Sequence, residues 1–194
     1  MNYLIVYSHY NPNSFNHVLL DILTDTLAER HQVELRDLYA LHFNPALTEN
    51  DMQSLEKGTP PEDIRVEQDF IRWADVIIFV YPIWWSGMPA ILKGYIDRVF
   101  SFGFAYTVDE SGSRGLLVGK KVYLVNTTGA DEQTNIESGV FQSMHNLTDI
   151  GIFQFCGMEL IGHNYFTAVP YVTDDERRVM ISKFRSAVER LFRQ

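Results

Sequence analysis

Three short, unbroken apolar runs constrain this chain most: Tyr3-Leu4-Ile5-Val6-Tyr7, Val76-Ile77-Ile78-Phe79-Val80 and Val122-Tyr123-Leu124-Val125. Each is short for a helix and offers no polar residue to water, so each reads as a strand covered on both faces. Helix-spaced segments lie between them. Leu19, Ile22, Leu23 and Leu27 recur at three- and four-residue steps, and Phe70, Ile71 and Ala74 suit a helix leading into residue 76. Leu92, Ile96 and Val99 mark a helix opening near Pro89, a residue well placed in a first turn. Val33 and Leu35 alternate in an outer strand, and Glu159 to Phe166 form a last one. Residues 136–150 hold a helix. A Thr173–Glu176 capping box opens a final helix carrying Val179, Met180, Phe184, Val188 and Leu191. The polar stretch 44–65, with Pro45, Gly58, Pro60 and Pro61, reads mainly as loop with a short helix near Asp51 to Leu55. The expected architecture is α/β: a doubly wound five-stranded parallel sheet of order 2-1-3-4-5 with helices on both faces, one domain over residues 1–194.

Composition narrows the function classes. With 194 residues, 46% hydrophobic and 21% charged, the chain can bury a sizeable core, and disorder is a poor reading. A formal charge of -9 argues against a nucleic-acid partner. The tail cations Arg177, Arg178, Lys183, Arg185, Arg190 and Arg193 alternate with Asp174, Asp175, Glu176 and Glu189, the pattern of a solvated helix face. Cys156, the only cysteine, sits in the apolar run Ile152-Phe153-Gln154-Phe155 and reads as a small buried hydrophobe. No segment approaches the ~20 apolar residues of a membrane span, and no basic stretch precedes the first run as in a signal peptide. A cytoplasmic protein without membrane insertion is expected.

In a doubly wound sheet, ligands bind beyond the carboxyl ends of the strands, where the strand order reverses. Three loops leave those ends. The first, residues 8–16, joins a buried strand to a helix start, where free N–H groups and a partial positive charge favour phosphate. His9, Asn13, Ser14 and Asn16 add short donors, although Ser and Asn also serve as plain helix caps. The second holds Pro82, Ile83, Trp84, Trp85, Ser86, Gly87, Met88 and Pro89. Two adjacent tryptophans cannot both face the core, so they wall a flat ligand, plug the surface or meet another subunit. The third, Thr127-Thr128-Gly129-Ala130, offers hydroxyls and backbone donors, or is simply a strand end entering a turn. Together the loops describe a cradle for a phosphate at one end and a planar ring at the other, as a flavin requires. Motifs for hydrolysis and paired-cysteine metal sites do not occur, and the six histidines show no metal-ligand spacing; a bound cofactor would supply the chemistry.

These residues resemble the NAD(P)H:quinone oxidoreductase (DT-diaphorase) family of flavodoxin-like proteins and the related potassium-efflux-associated oxidoreductases. The matching stretches are His9 with Asn13-Ser14-Phe15-Asn16, then Asp37-Leu38-Tyr39-Ala40 with Phe43-Asn44-Pro45. They continue through residues 82–106, with Trp85, Gly87, Pro89-Ala90-Ile91-Leu92-Lys93-Gly94, Arg98-Val99-Phe100 and Phe104-Ala105-Tyr106, and end with Thr127-Thr128-Gly129 and Phe155-Cys156-Gly157. The resemblance implies that His9, Asn13, Ser14, Phe15 and Asn16 hold the phosphate and ribityl chain of a flavin. It places Pro82, Ile83, Trp85, Thr127, Thr128 and Gly129 against the ring, and Tyr106 in the substrate pocket. It further implies a homodimer with active sites at the interface, and hydride transfer by a ping-pong route from NAD(P)H to a quinone-like acceptor. The chain departs from the family at two places. Family members carry a Tyr and a His after the Thr-Thr-Gly loop as a proton relay, where this chain aligns Asn135 and Phe141. Residues 44–65 are also shorter than in long members, which bears on FAD, although the 13–16 loop is more like FAD-binding than FMN-binding members. Two further readings stand beside the reductase: a flavin-binding regulatory subunit of a potassium efflux transporter, and a one-electron carrier. Arg114 and Lys120 are candidates to meet the 2′-phosphate of NADPH.

Overall fold

The computed structural model describes residues 1–192; Arg193 of the predicted basic tail lies outside the described residues. The apolar runs form strands as expected. They are β1 (Asn2–Tyr7), β3 (Val76–Pro82) and β6 (Lys121–Thr127), joined by β2 (Gln32–Asp37) at one edge and β7 (Glu159–Phe166) at the other. All four neighbouring pairs are parallel, in the order β2-β1-β3-β6-β7. The expected order 2-1-3-4-5 is therefore corrected. A two-stranded antiparallel hairpin, β4 (Tyr106–Asp109) and β5 (Gly112–Gly115), stands apart from the main sheet between its third and fourth strands and takes two places in the numbering.

Side chains along the central strands alternate between two cores. Ile5, Tyr7, Ile78, Val80 and Val125 face α1 (Phe15–Ala28) and α7 (Asp174–Phe192), where Leu19, Leu23, Phe184 and Val188 are buried. Leu4, Val6, Phe79, Tyr81 and Leu124 face the other way, onto Ile71 of α3 (Glu62–Trp73), Leu92 and Ile96 of α4 (Ala90–Val99), and Phe153. Polar residues cannot occupy either face without partners, which is why these runs are unbroken.

The stretch 44–65 is more ordered than its polarity implies. A Thr48–Asp51 capping box opens α2 (Glu49–Glu56), and Arg98 of α4 reaches back to it, donating to both Asp51 carboxylate oxygens at 3.0 and 3.1 Å and to the Asn44 carbonyl at 3.0 Å. Gly94 lets α4 lie against Pro45: a Cβ there would stand 2.2 Å from the Pro45 carbonyl oxygen. The helix expected over 136–150 is three pieces: α5 (Glu132–Glu137), α6 (Val140–Met144) and a π-helical segment, His145–Gln154, that turns Thr148, Asp149 and Phe153 inward. The Thr173–Glu176 capping box forms as the sequence indicates, with Thr173 N–H donating to Glu176 at 2.7 Å. Cys156 is buried, and burial pushes its thiol up to about 11. Among the described residues no helix is long and apolar enough to cross a membrane.

Candidate functional site

Tyr7 lies opposite Val80, and Pro82 opposite Thr127, so β1, β3 and β6 end close together and release their loops on one side of the sheet. The loops border a cleft of about 630 Å³. It brings together His9, Ser14, Phe15 and Asn16 from the first loop, then Pro82, Ile83, Trp84 and Trp85 from the second. Thr127, Thr128 and Gly129 come from the third. These are eleven of the fourteen residues singled out from the sequence. Of the other three, Asn13 is exposed, and its N–H is taken by Asn11 Oδ1 at 2.9 Å. Ala130 stands behind the loop; its carbonyl accepts from Thr128 Oγ1 at 2.7 Å and from Asn135 Nδ2 at 3.1 Å. Tyr106 lies on the hairpin with its ring 5.3 Å from Phe155 and 5.9 Å from Phe102, outside the lining of the cleft in its own chain.

One end of the cleft suits an anion. Ser14 caps α1, its hydroxyl accepting from His17 N–H at 3.2 Å, while the N–H groups of Phe15 and Asn16 begin the helix with no acceptor in the turn before. Asn16 is only 3% exposed; its Nδ2 donates to Thr127 Oγ1 at 2.8 Å, and its Oδ1 has no partner among the described residues. Arg177 completes this end. Its guanidinium sits 5.6 Å from the Phe15 ring centre, and Nη2 donates to the Val169 carbonyl at 3.2 Å. That corrects the reading of the tail cations as one solvated face, since Arg177 lines the cleft together with Val169 and Pro170. Only the fold carries α7 back to α1, so the sequence offers no local signal for this cation. Asn11, also on the lining, was likewise not singled out.

Burial lowers the affinity of His9 for a proton, against a smaller opposing effect of the Asn11 carbonyl 3.2 Å from Nδ1; Asn11 N–H stands 3.0 Å from the same nitrogen, so Nε2 is the ring nitrogen left to meet a ligand. The other end of the cleft is a flat aromatic wall. Trp84 and Gly87 exchange two backbone hydrogen bonds of 3.0 Å, closing a tight turn that holds Trp85 at φ 51 and Ser86 at φ 56. Left-handed backbone costs energy in residues other than glycine. Here it turns the Trp85 ring fully outward, 102% exposed. Lys120, proposed to meet a nucleotide phosphate, is instead tied at the opposite end of the sheet, donating to the Arg72 and Ala74 carbonyls at 2.9 and 2.8 Å.

Residues 1–188 match the family Flavodoxin_2, described as a flavodoxin-like fold. The chain belongs to this family. A Haemophilus influenzae protein named "Uncharacterized NAD(P)H oxidoreductase" is 40% identical over 183 residues, covering 93% of this chain and 91% of its own. The human "Ribosyldihydronicotinamide dehydrogenase [quinone]" is 30% identical over 212 residues, covering 98% of this chain and 92% of its own. A solved structure of the NAD(P)H:quinone oxidoreductase from Methanothermobacter marburgensis superposes with a TM-score of 0.88 at 28% identity, covering 98% of this chain and 96% of that one. The resemblance read from the sequence is borne out by these relatives.

Proposed function

We propose that this chain, as one domain over residues 1–194, is a flavin-dependent NAD(P)H oxidoreductase that passes two electrons as hydride to a quinone or a similar small acceptor. The observation that carries the proposal is the cleft, which gathers helix-start donors, Arg177, an aromatic wall and the Thr127–Thr128 edge around one space. The residues fit a flavin. The unpartnered Asn16 Oδ1 and the His9 Nε2 suit a polyhydroxyl chain, the α1 start with Arg177 suits its phosphate, and Ile83 and Trp84 suit its ring. When bound, the flavin supplies the redox chemistry, accepting hydride from the nicotinamide and delivering it to the acceptor. The chain binds and orients it. Pro82 and Thr127 hold the two ring-side loops in register, and Ile83 N–H donates to the Thr127 carbonyl at 2.8 Å to keep them so.

We assign FAD as the cofactor, with FMN the other candidate, because the 13–16 loop follows the FAD-binding members. A homodimer accounts for two further features: the outward Trp85 and the exposed Phe102 leave apolar surface open, and Tyr106 lies outside the cleft of its own chain. In that arrangement Tyr106 of one copy serves the cleft of the other. A cytoplasmic location accompanies this reading. The names of the relatives favour the reductase over both the transporter-regulating subunit and the one-electron carrier. The test is steady-state NAD(P)H oxidation with a water-soluble quinone by flavin-loaded protein. Parallel double-reciprocal lines as the quinone is varied are the expected ping-pong result. Oxidation that does not respond to quinone would refute the proposal.

A further inference from the structure

Beneath the third loop, on the α3–α4 face of the sheet, lies a buried polar chain that the reductase reading does not use. Asp149 of the π-helical segment and His163 of β7 have side chains 4% and 7% exposed. The carboxylate stands 3.0 and 3.2 Å from His163 Nδ1 and 3.0 Å from Nδ1 of the half-exposed His145. The Tyr165 hydroxyl is 3.1 Å from the same His163 nitrogen. On its other side, His163 Nε2 is 2.5 Å from Asn126 Oδ1. Asn126, wholly buried, donates from Nδ2 to the Tyr81 carbonyl at 3.1 Å. That last bond fixes the amide, since a flipped Asn126 would set oxygen against oxygen. Oδ1 therefore faces His163, and Nε2 must carry a hydrogen.

Asn126 immediately precedes Thr127, and Tyr81 immediately precedes Pro82; both following residues line the cleft. Pro82 has no N–H to give to the sheet. The Asn126 side chain adds a β6-to-β3 link at the last residue before both cleft-lining positions. We propose that Asp149 and His163 are positioning residues for the cleft: they orient Asn126, and Asn126 sets the spacing of the two loops that grip the flavin ring. A buried ionic or hydrogen-bonded pair contributes little net stability by itself, so geometric specification is the role that fits its burial. The inference rests on the flavin reading above.

The test is the dissociation constant of FAD and FMN, by fluorescence quenching, in wild type and three variants. His163→Leu removes the donor, and flavin affinity should fall at least tenfold. His163→Gln places an amide N–H near the former Nε2, and affinity should return to within about threefold of wild type. Asp149→Val with His163→Leu replaces the pair by apolar groups, which guards against misfolding. It should melt within a few degrees of wild type yet keep the tenfold loss. Unchanged affinity in the folded double variant, or no rescue by glutamine, would overturn the positioning role while leaving the flavin reading intact. A wild-type protein that takes up neither flavin would overturn both.

Discussion

Replacing Arg177 by methionine tests how the anion end of the cleft works. Methionine keeps an unbranched stem against Phe15 and removes the charge. The guanidinium is already oriented by its bond to the Val169 carbonyl, so little ordering is needed when a phosphate arrives. A hydrogen bond to a charged group contributes about 1.5–3 kcal/mol. Arg177 is half-buried, which favours the lower part of that range, and about 1.5–2 kcal/mol corresponds to a roughly 10- to 30-fold weaker dissociation constant. The assay is titration of flavin-free protein with FMN, FAD and riboflavin, which lacks phosphate. FMN and FAD should lose affinity by that factor in Arg177→Met, and riboflavin should not. Raising the salt from about 0.05 to about 0.5 M should narrow the gap between variant and wild type. Equal losses for riboflavin and FMN would refute the assignment of Arg177 to the phosphate, as would unchanged FMN binding.

Three other outcomes follow from the geometry. Trp85→Ala should leave stability within about 0.5 kcal/mol, because the exposed ring packs on nothing in its own chain; flavin retention and NAD(P)H oxidation should fall together, and full activity with full flavin content would contradict the wall assignment. Arg98 hydrogen bonds hold the Asp51 carboxyl below its ordinary value despite burial, so this pair stabilises the fold above about pH 3.8, and the contribution is lost as pH falls through the depressed value. Urea midpoints should therefore drop below that pH in wild type and less steeply in Asp51→Asn; equal acid slopes would argue against it. Gly94→Ala should cost about 1–3 kcal/mol by driving a methyl into Pro45, read as a lower urea midpoint; a midpoint equal to wild type would show that the 44–46 segment yields freely.

The sheet was legible because burial on both faces forbids polar residues in β1, β3 and β6, and the cleft because loops at strand ends must supply their own donors. Other elements carry weaker signals. The hairpin Tyr106–Asp109 with Gly112–Gly115 is short, polar and largely exposed, so no apolar alternation announces it. The π-helical segment buries Thr148 and Asp149 beside Phe153, which defeats a reading based on helical periodicity. Arg177 and His163 escape for one shared reason. Their partners are far along the chain: Arg177 is brought to Phe15 only by α7 crossing α1, and His163 to Asn126 only by β7 pairing with β6. Asn135 and Phe141, aligned where family members carry the Tyr and His of the relay, have other roles here. Asn135 Nδ2 donates to Thr128 Oγ1 at 3.0 Å and braces the loop, while Phe141 packs against Tyr165 with ring centres 4.2 Å apart and planes tilted by 32°.

The most direct test of the account is an absorbance spectrum of protein loaded with FAD or FMN, followed under anaerobic conditions as NADPH and then a quinone are added. Oxidised-flavin bands should bleach in one step, without a long-wavelength band from the one-electron form, and return when quinone is added. A protein that stays colourless with both flavins, or whose bound flavin NAD(P)H does not bleach, would contradict it.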